Sequence, residues 1–140
     1  MDDAKENRPG IVTKLRDAGL RPTRQRNELA GLLFGNGNRH VTAEMLHAEA
    51  QGKNVSVSLA TVYNTLNQFA RAGLLREVAI EGSKAYFDNT ISDHQHFYFE
   101  HNGRLIDLGP DEEVAVAVHK MPEGMKVARI DVLIRLVPDK

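Results

Sequence analysis

The 140-residue chain contains no cysteine. That single absence excludes disulfides, thiolate catalysis, Cys-based structural zinc and thiolate ligation of haem. Any transition metal must then be held by imidazole and carboxylate, donors that suit divalent iron, manganese or zinc. No apolar run approaches the roughly 18 residues that a membrane helix needs. The N-terminal "MDDAKENRPG" is acidic and polar, unlike a signal or transit peptide, so the expected compartment is the cytoplasm. There is no His-Glu-x-x-His, no Gly-rich phosphate loop and no nucleophile elbow. A metal-dependent hydrolase, which needs an open coordination position and a general base, is therefore a distant alternative. The chain is not expected to be an enzyme.

What is present is an ordinary globular composition, 41% apolar and 26% charged, with a length that suits one domain or two small ones. Net charge is −1 but unevenly spread. Residues 1–88 hold 12 Lys+Arg against 10 Asp+Glu, and residues 89–140 hold 6 against 9. Within the first part "RPTRQR" gathers Arg21, Arg24 and Arg26.

Four helices are expected in that first part. "IVTKLRDA" (11–18) places Ile11, Val12, Leu15 and Ala18 at helical spacing and ends on Gly19 as a C-cap. Thr23 N-caps a helix over 24–34 that turns Leu29, Leu32 and Leu33 inward. Thr42 N-caps "AEMLHAEA", with Met45, Leu46 and Ala50 inward. Ser58 begins the most regular helix, in which Leu59, Val62, Leu66 and Phe69 share a face and Gly73 is the C-cap. "LLREVAI" and "KAYFD", joined by "EGS", then read as a β-hairpin.

Helices followed by a hairpin are what a winged helix-turn-helix requires, the last helix lying in the major groove. Its polar face carries Thr61, Tyr63, Asn64, Thr65 and Asn67/Gln68, side chains that can bond base edges or phosphates. Periodicity alone fits a solvated helix face equally well; the arginine cluster and the hairpin favour DNA.

After "NTISD" the pattern changes. "HFYFE" and "RLIDL" read as strands joined by "HNGR", with a tight-turn signal at Asn102-Gly103. "PDEEVAVAVHKM" reads as a helix, with Pro110 and three acids in its first turn. "KVARIDVLIRLV" reads as one long strand with Ala128, Ile130, Val132, Ile134 and Leu136 on its apolar face. Such a body is too small to cover that face alone, so a homodimer is expected. The fold class is thus α+β. A winged helix-turn-helix domain over 1–88 is joined by a hinge at 89–93 to a small α/β dimerisation and sensor domain over 94–140.

In "SDHQHFYFEHNG" (92–103), His94 and His96 lie two apart on a strand, so both imidazoles point to one face. That is a chelating arrangement; the competing reading is a polar strand edge. His47, His101 and His119 read as surface, packing or helix-end residues.

The stretches "LRDAGLRPTRQR", "HVTAEMLHAEA", "VSLATVYNTLNQFARAGLL" and "GSKAYF" closely resemble the ferric uptake regulator family of bacterial metal-responsive transcription factors. The resemblance runs from about residue 12 to 136. "RHVTAEMLH", "REVAIEGSKAYFD", "DHQHFYFE", "PEGMKVARIDVLIRL" and Asn64, where most of the family has Arg, are most similar to its iron response regulator branch in alphaproteobacteria. This implies a dimeric regulator that binds palindromic operator DNA and reads iron status, through haem in that branch, controlling haem synthesis and iron homeostasis. A plain iron-, manganese- or zinc-responsive repressor without haem sensing is the alternative.

The resemblance also carries residues across. Tyr63 matches a base-contacting tyrosine and Arg21 a basic residue that enters the minor groove. Arg24 and Arg26 are the phosphate contacts expected beside Arg21, Arg24 on the local charge cluster more than on the match. Thr61 is read from the polar face of the helix, and Asn64 departs from the family's Arg. The family's sensor site falls on His40, Asp88, His94 and His96, where a divalent ion would pin the two domains together. Its second cluster is eroded, falling on Asp93, Gln95 and Ile130, and Phe99 and Asn102 stand where many relatives have zinc-binding cysteines. His94 and His96 are also the implied haem ligands. Neighbours on one strand face cannot occupy both axial positions of one iron, so only one of them could serve, and haem would compete with the metal.

Overall fold

A computed structural model describes residues 3–35, 37–82, 84–91 and 94–140, with side chains from residue 10 onward. The chain divides into two compact units, Met1–Ile91 and Ser92–Lys140. No helix among the described residues is long and apolar enough to cross a membrane.

The first unit contains α1 (Asp3–Asp17), α2 (Arg24–Phe34), β1 (His40–Val41), α3 (Ala43–Gly52), α4 (Leu59–Arg71), β2 (Arg76–Glu81) and β3 (Lys84–Asp88). The caps are local chemistry. Thr23, Thr42 and Ser58 each accept a bond at their hydroxyl from the backbone N–H three residues on, at 3.1–3.2 Å. At the other ends Gly19 and Gly73 take φ of +81° and +82°. There Leu20 N donates to Leu15 O and Leu74 N to Phe69 O, both at 2.9 Å, which closes Schellman motifs. Asn54, at φ +58°, closes α3 in the same way through Val55 N and Ala50 O.

Fifteen buried apolar side chains, with Leu15, Leu29, Leu46, Val62, Leu66 and Phe69 at its centre, form the core of this unit. Each large one contributes about 1.5–3 kcal/mol by leaving water. Three expected orientations are corrected. Met45 is 44% exposed, because α3 buries Ala43, Leu46 and Ala50 at i, i+3 and i+7. Leu59 is also at the surface, in the first turn of α4 before its inward stripe begins at Val62. Thr65 is buried beside Leu66, so it leaves the polar face.

The hairpin is present, with β3 central between β1 and β2, all antiparallel. The two-residue β1 has no periodic signal of its own and was not legible in the sequence.

The second unit holds β4 (His96–Phe99), β5 (Arg104–Asp107) and β6 (Leu133–Leu136). β4 lies between β5, antiparallel, and β6, parallel. The turn at Asn102-Gly103 is present, inside a four-residue loop in which Gly103 takes φ +72°.

Two expectations fail here. Residues 110–121 are not helical: after a turn in which Glu112 N donates to Gly109 O, the chain carries no regular secondary structure. The alternating β-branched Val114, Val116 and Val118 oppose a helix more strongly than the acidic first turn favours one. The long strand expected over 126–137 is a strand only over Leu133–Leu136, with one further bond from His96 N to Val132 O at 3.2 Å, and Val127 and Ile130 are exposed.

Candidate functional site

Histidine and carboxylate side chains gather in each unit separately. In the first, β1 and β3 place His40 directly opposite Asp88. His40 Nε2 stands 3.1 Å from Asp88 Oδ2, and Asp88 Oδ1 accepts from Thr90 N at 2.8 Å. Asp88 is fully buried. Asn89 fixes the short strand in place. Its side-chain oxygen accepts from Arg39 N at 2.8 Å, and its amide donates to Leu33 O and Gly37 O at 2.8 and 2.7 Å. Arg39 in turn donates to Leu32 O at 2.7 Å and pairs with Glu49. Asn89, read as the start of a hinge, is thus bonded into the first unit; Ser92 and Asp93 lie outside the described residues.

In the second unit the rings of His94 and His96 sit 4.5 Å apart, centroid to centroid. Both Nε2 atoms face one oxygen, Asp107 Oδ1, at 3.0 and 3.3 Å. The expected chelating pair is therefore on one face, and it carries a carboxylate that sequence reasoning missed. The signal was present but depends on register. A two-residue turn at Asn102-Gly103 would pair residue 96 with 109. The actual loop is 100–103, and it pairs His96 with Asp107.

Two imidazoles and a carboxylate, and separately an imidazole and a carboxylate, are a donor set that fits iron, manganese or zinc in a chain without thiolates. For haem, the two adjacent imidazoles aim at the same oxygen, so they stand on one side of any common ligand.

The eroded second cluster has other uses. The Gln95 side chain exchanges two 2.7 Å bonds with the backbone of Val114, tying that irregular segment to the start of β4. Asn102 accepts from Arg104 N within the turn, and Ile130 is exposed. Phe99 packs edge-on against His101. His47 Nε2 lies 3.1 Å from Val57 O, a packing role, and His119 is exposed on non-helical chain.

The residues expected to meet DNA all fall in the first unit. Tyr63 packs its ring against the core while its hydroxyl donates to Glu44 Oε1 at 2.6 Å. This bond holds the Glu44 carboxyl below its ordinary value and raises the Tyr63 phenol above its own. Asn64 and Arg21 are exposed. Thr61 accepts from the hydroxyl of Ser58 at 2.9 Å. Arg24 projects into solvent and pairs with Glu28 at 3.3 Å. Arg26 is engaged at both ends of its guanidinium, by Arg21 O at 2.7 Å and by Gln68 Oε1 on α4 at 2.9 Å.

The chain matches the Ferric uptake regulator family over residues 17–135. It is 35% identical over 117 residues to the peroxide operon regulator of Bacillus subtilis (strain 168), covering 81% of this chain and 79% of that protein. It is 36% identical over 100 residues to the ferric uptake regulation protein of Shigella flexneri, covering 71% and 68%. Among solved structures, the ferric uptake regulator from Pseudomonas aeruginosa with manganese aligns at a TM-score of 0.71 and 25% identity, over 93% of this chain and 98% of that one.

Proposed function

From the premise that the chain belongs to the ferric uptake regulator family of metal-responsive transcription regulators, not enzymes, we propose that it is a cytoplasmic homodimer that binds palindromic operator DNA under the control of iron. The observation that carries this reading is the convergence of His94 and His96 on Asp107, with His40 and Asp88 paired in the other unit. We assign the resident divalent ion to His94, His96, His40 and Asp88, with Asp107 added on the geometry. Bound there, the ion would supply a fixed positive charge that ties imidazole and carboxylate groups from both units into one arrangement. The residues themselves bind and orient it: Asp107 aims the two rings, and Asn89 and Thr90 hold His40 and Asp88 in place.

Residues 1–88 are the DNA-binding domain in this proposal and 94–140 the dimerisation and sensor domain. The N-terminal part of α4, with Thr61, Tyr63 and Asn64, enters the major groove, and Arg21 and Arg24 reach the backbone and minor groove. Arg26 acts by tying the start of α2 to α4. Val114, Val116, Val118, Val127 and Ile130 are exposed, and in this proposal they are apolar side chains that a second copy would cover.

The finer reading, an iron- or haem-responsive regulator of haem synthesis and iron homeostasis genes, rests on the motifs shared with the iron response regulator branch. One of His94 or His96 would hold the haem iron through its imidazole, so haem and the metal would compete. The test is a DNA-binding titration on palindromic duplexes with Mn²⁺, Fe²⁺, Zn²⁺ and haem in turn. Metal-dependent binding that haem abolishes supports the full reading. Metal-dependent binding that stoichiometric haem leaves unchanged reduces it to a plain divalent-metal repressor. Salt-insensitive binding, or none with any ligand, overturns both.

A further inference from the structure

The bond between Tyr63 and Glu44 has a consequence for base recognition. Glu44 lies in the first turn of α3, exposed, and receives the Tyr63 hydroxyl at 2.6 Å, the ordinary distance for a charge-assisted bond from a hydroxyl to a carboxylate. The Tyr63 ring is anchored by packing against the core, so its oxygen is presented at a fixed place. A phenol has a single proton. With that proton committed to Glu44, what remains on the Tyr63 oxygen is lone pairs, and an ionised carboxylate also offers only lone pairs. The pair therefore shows acceptors, and no donors, to whatever docks on it.

The major groove distinguishes bases by the same property. Adenine N6 and cytosine N4 are amino donors, whereas guanine O6 and N7 and thymine O4 are acceptors. We propose that Glu44 is a specificity-determining residue: by fixing Tyr63 as an acceptor it selects adenine or cytosine on the facing strand and disfavours guanine or thymine. The inference rests on the reading of α4 as the recognition helix. Glu44 also brings a negative charge close to the phosphates, so it favours discrimination at the expense of overall affinity.

The test is selection from a duplex library with a randomised core, using the full chain with Mn²⁺, for the parent, Tyr63→Phe, Glu44→Ala and Glu44→Gln, with thermal melts to check folding. The parent should enrich adenine or cytosine at one position per half-site. Tyr63→Phe should lose that preference. Glu44→Ala frees the phenol proton and should admit guanine and thymine there about 3- to 10-fold more often. Glu44→Gln keeps an acceptor oxygen, so it should retain the preference while binding DNA more tightly. Unchanged base preferences in Glu44→Ala overturn the proposal, as does a uniform loss of binding at all sequences. A parent that enriches no duplex takes down the recognition-helix reading itself, and this inference with it.

Discussion

His40 Nε2 lies 3.1 Å from Asp88 Oδ2, and the two residues are direct partners across β1 and β3. Asp88 is fully buried and also accepts from Thr90 N. A buried carboxylate persists only when its lone pairs are satisfied. In the first unit, the metal-competent pair is thus also part of what holds a two-residue strand in its sheet.

Asp88→Ala should consequently do two things. It removes an acceptor from the partly buried His40 ring and Thr90 N–H, and leaving such groups unsatisfied costs about 1–3 kcal/mol. It should also weaken Mn²⁺ binding. Thermal melting with and without Mn²⁺ reads both: a lower midpoint in the metal-free protein and a smaller rise on adding metal. An unchanged metal-free midpoint would show that Asp88 has no structural share.

Asp107 differs because its side chain is 33% exposed. Asp107→Ala should leave the metal-free melting point nearly unchanged and lower Mn²⁺ affinity at least about tenfold, since it both offers an oxygen and orients His94 and His96. Calorimetric titration of Mn²⁺ into the variant checks this; parental affinity would remove Asp107 from the site.

The three arginines of "RPTRQR" separate by structure. Arg24 has an exposed side chain, and its pair with Glu28 contributes only about 0.3–0.5 kcal/mol. Arg24→Ala should keep the melting point and reduce the salt slope of DNA binding by about 0.9. Arg26→Met loses the bonds to Arg21 O and Gln68 and should destabilise the first unit by about 1–2 kcal/mol, with little change in salt slope. Melts and salt-dependent shift assays on both variants decide it; the reverse pattern would make Arg26 the phosphate contact.

Much of the first unit was legible because its signals are local. Thr23, Thr42, Ser58, Gly19 and Gly73 mark helix ends by their own chemistry, and three or more inward residues mark each face. The second unit was read less well, since its structure depends on contacts distant in sequence. Acidic residues after Pro110 suggested a helix, but the Gln95 amide bonds both backbone groups of Val114, which a helix would have paired within itself. Asp107 was hidden for a related reason: a shift of two in the pairing sum moves it opposite His96. His94 and His96 were legible because their spacing needs only the alternation of one strand.

The Glu44–Tyr63 bond also fixes a pH dependence. Glu44, accepting from the phenol, is lowered from 4.5, so the bond's contribution is present above that value and is lost as pH falls through the folded one. Tyr63, donating to the carboxylate, is raised from 10.0, so the contribution is present below that value and is lost as pH rises through the folded one. Between about pH 5 and about pH 9 neither group changes charge, and the base preference at the Tyr63 position should be constant across that window. An ultraviolet difference titration supplies the direct check. The Tyr63 phenol should ionise above 10.0 in the parent, and it should move down towards 10.0 in Glu44→Ala. A tyrosine titration identical in parent and variant would mean that the phenol proton is not committed to Glu44 in solution.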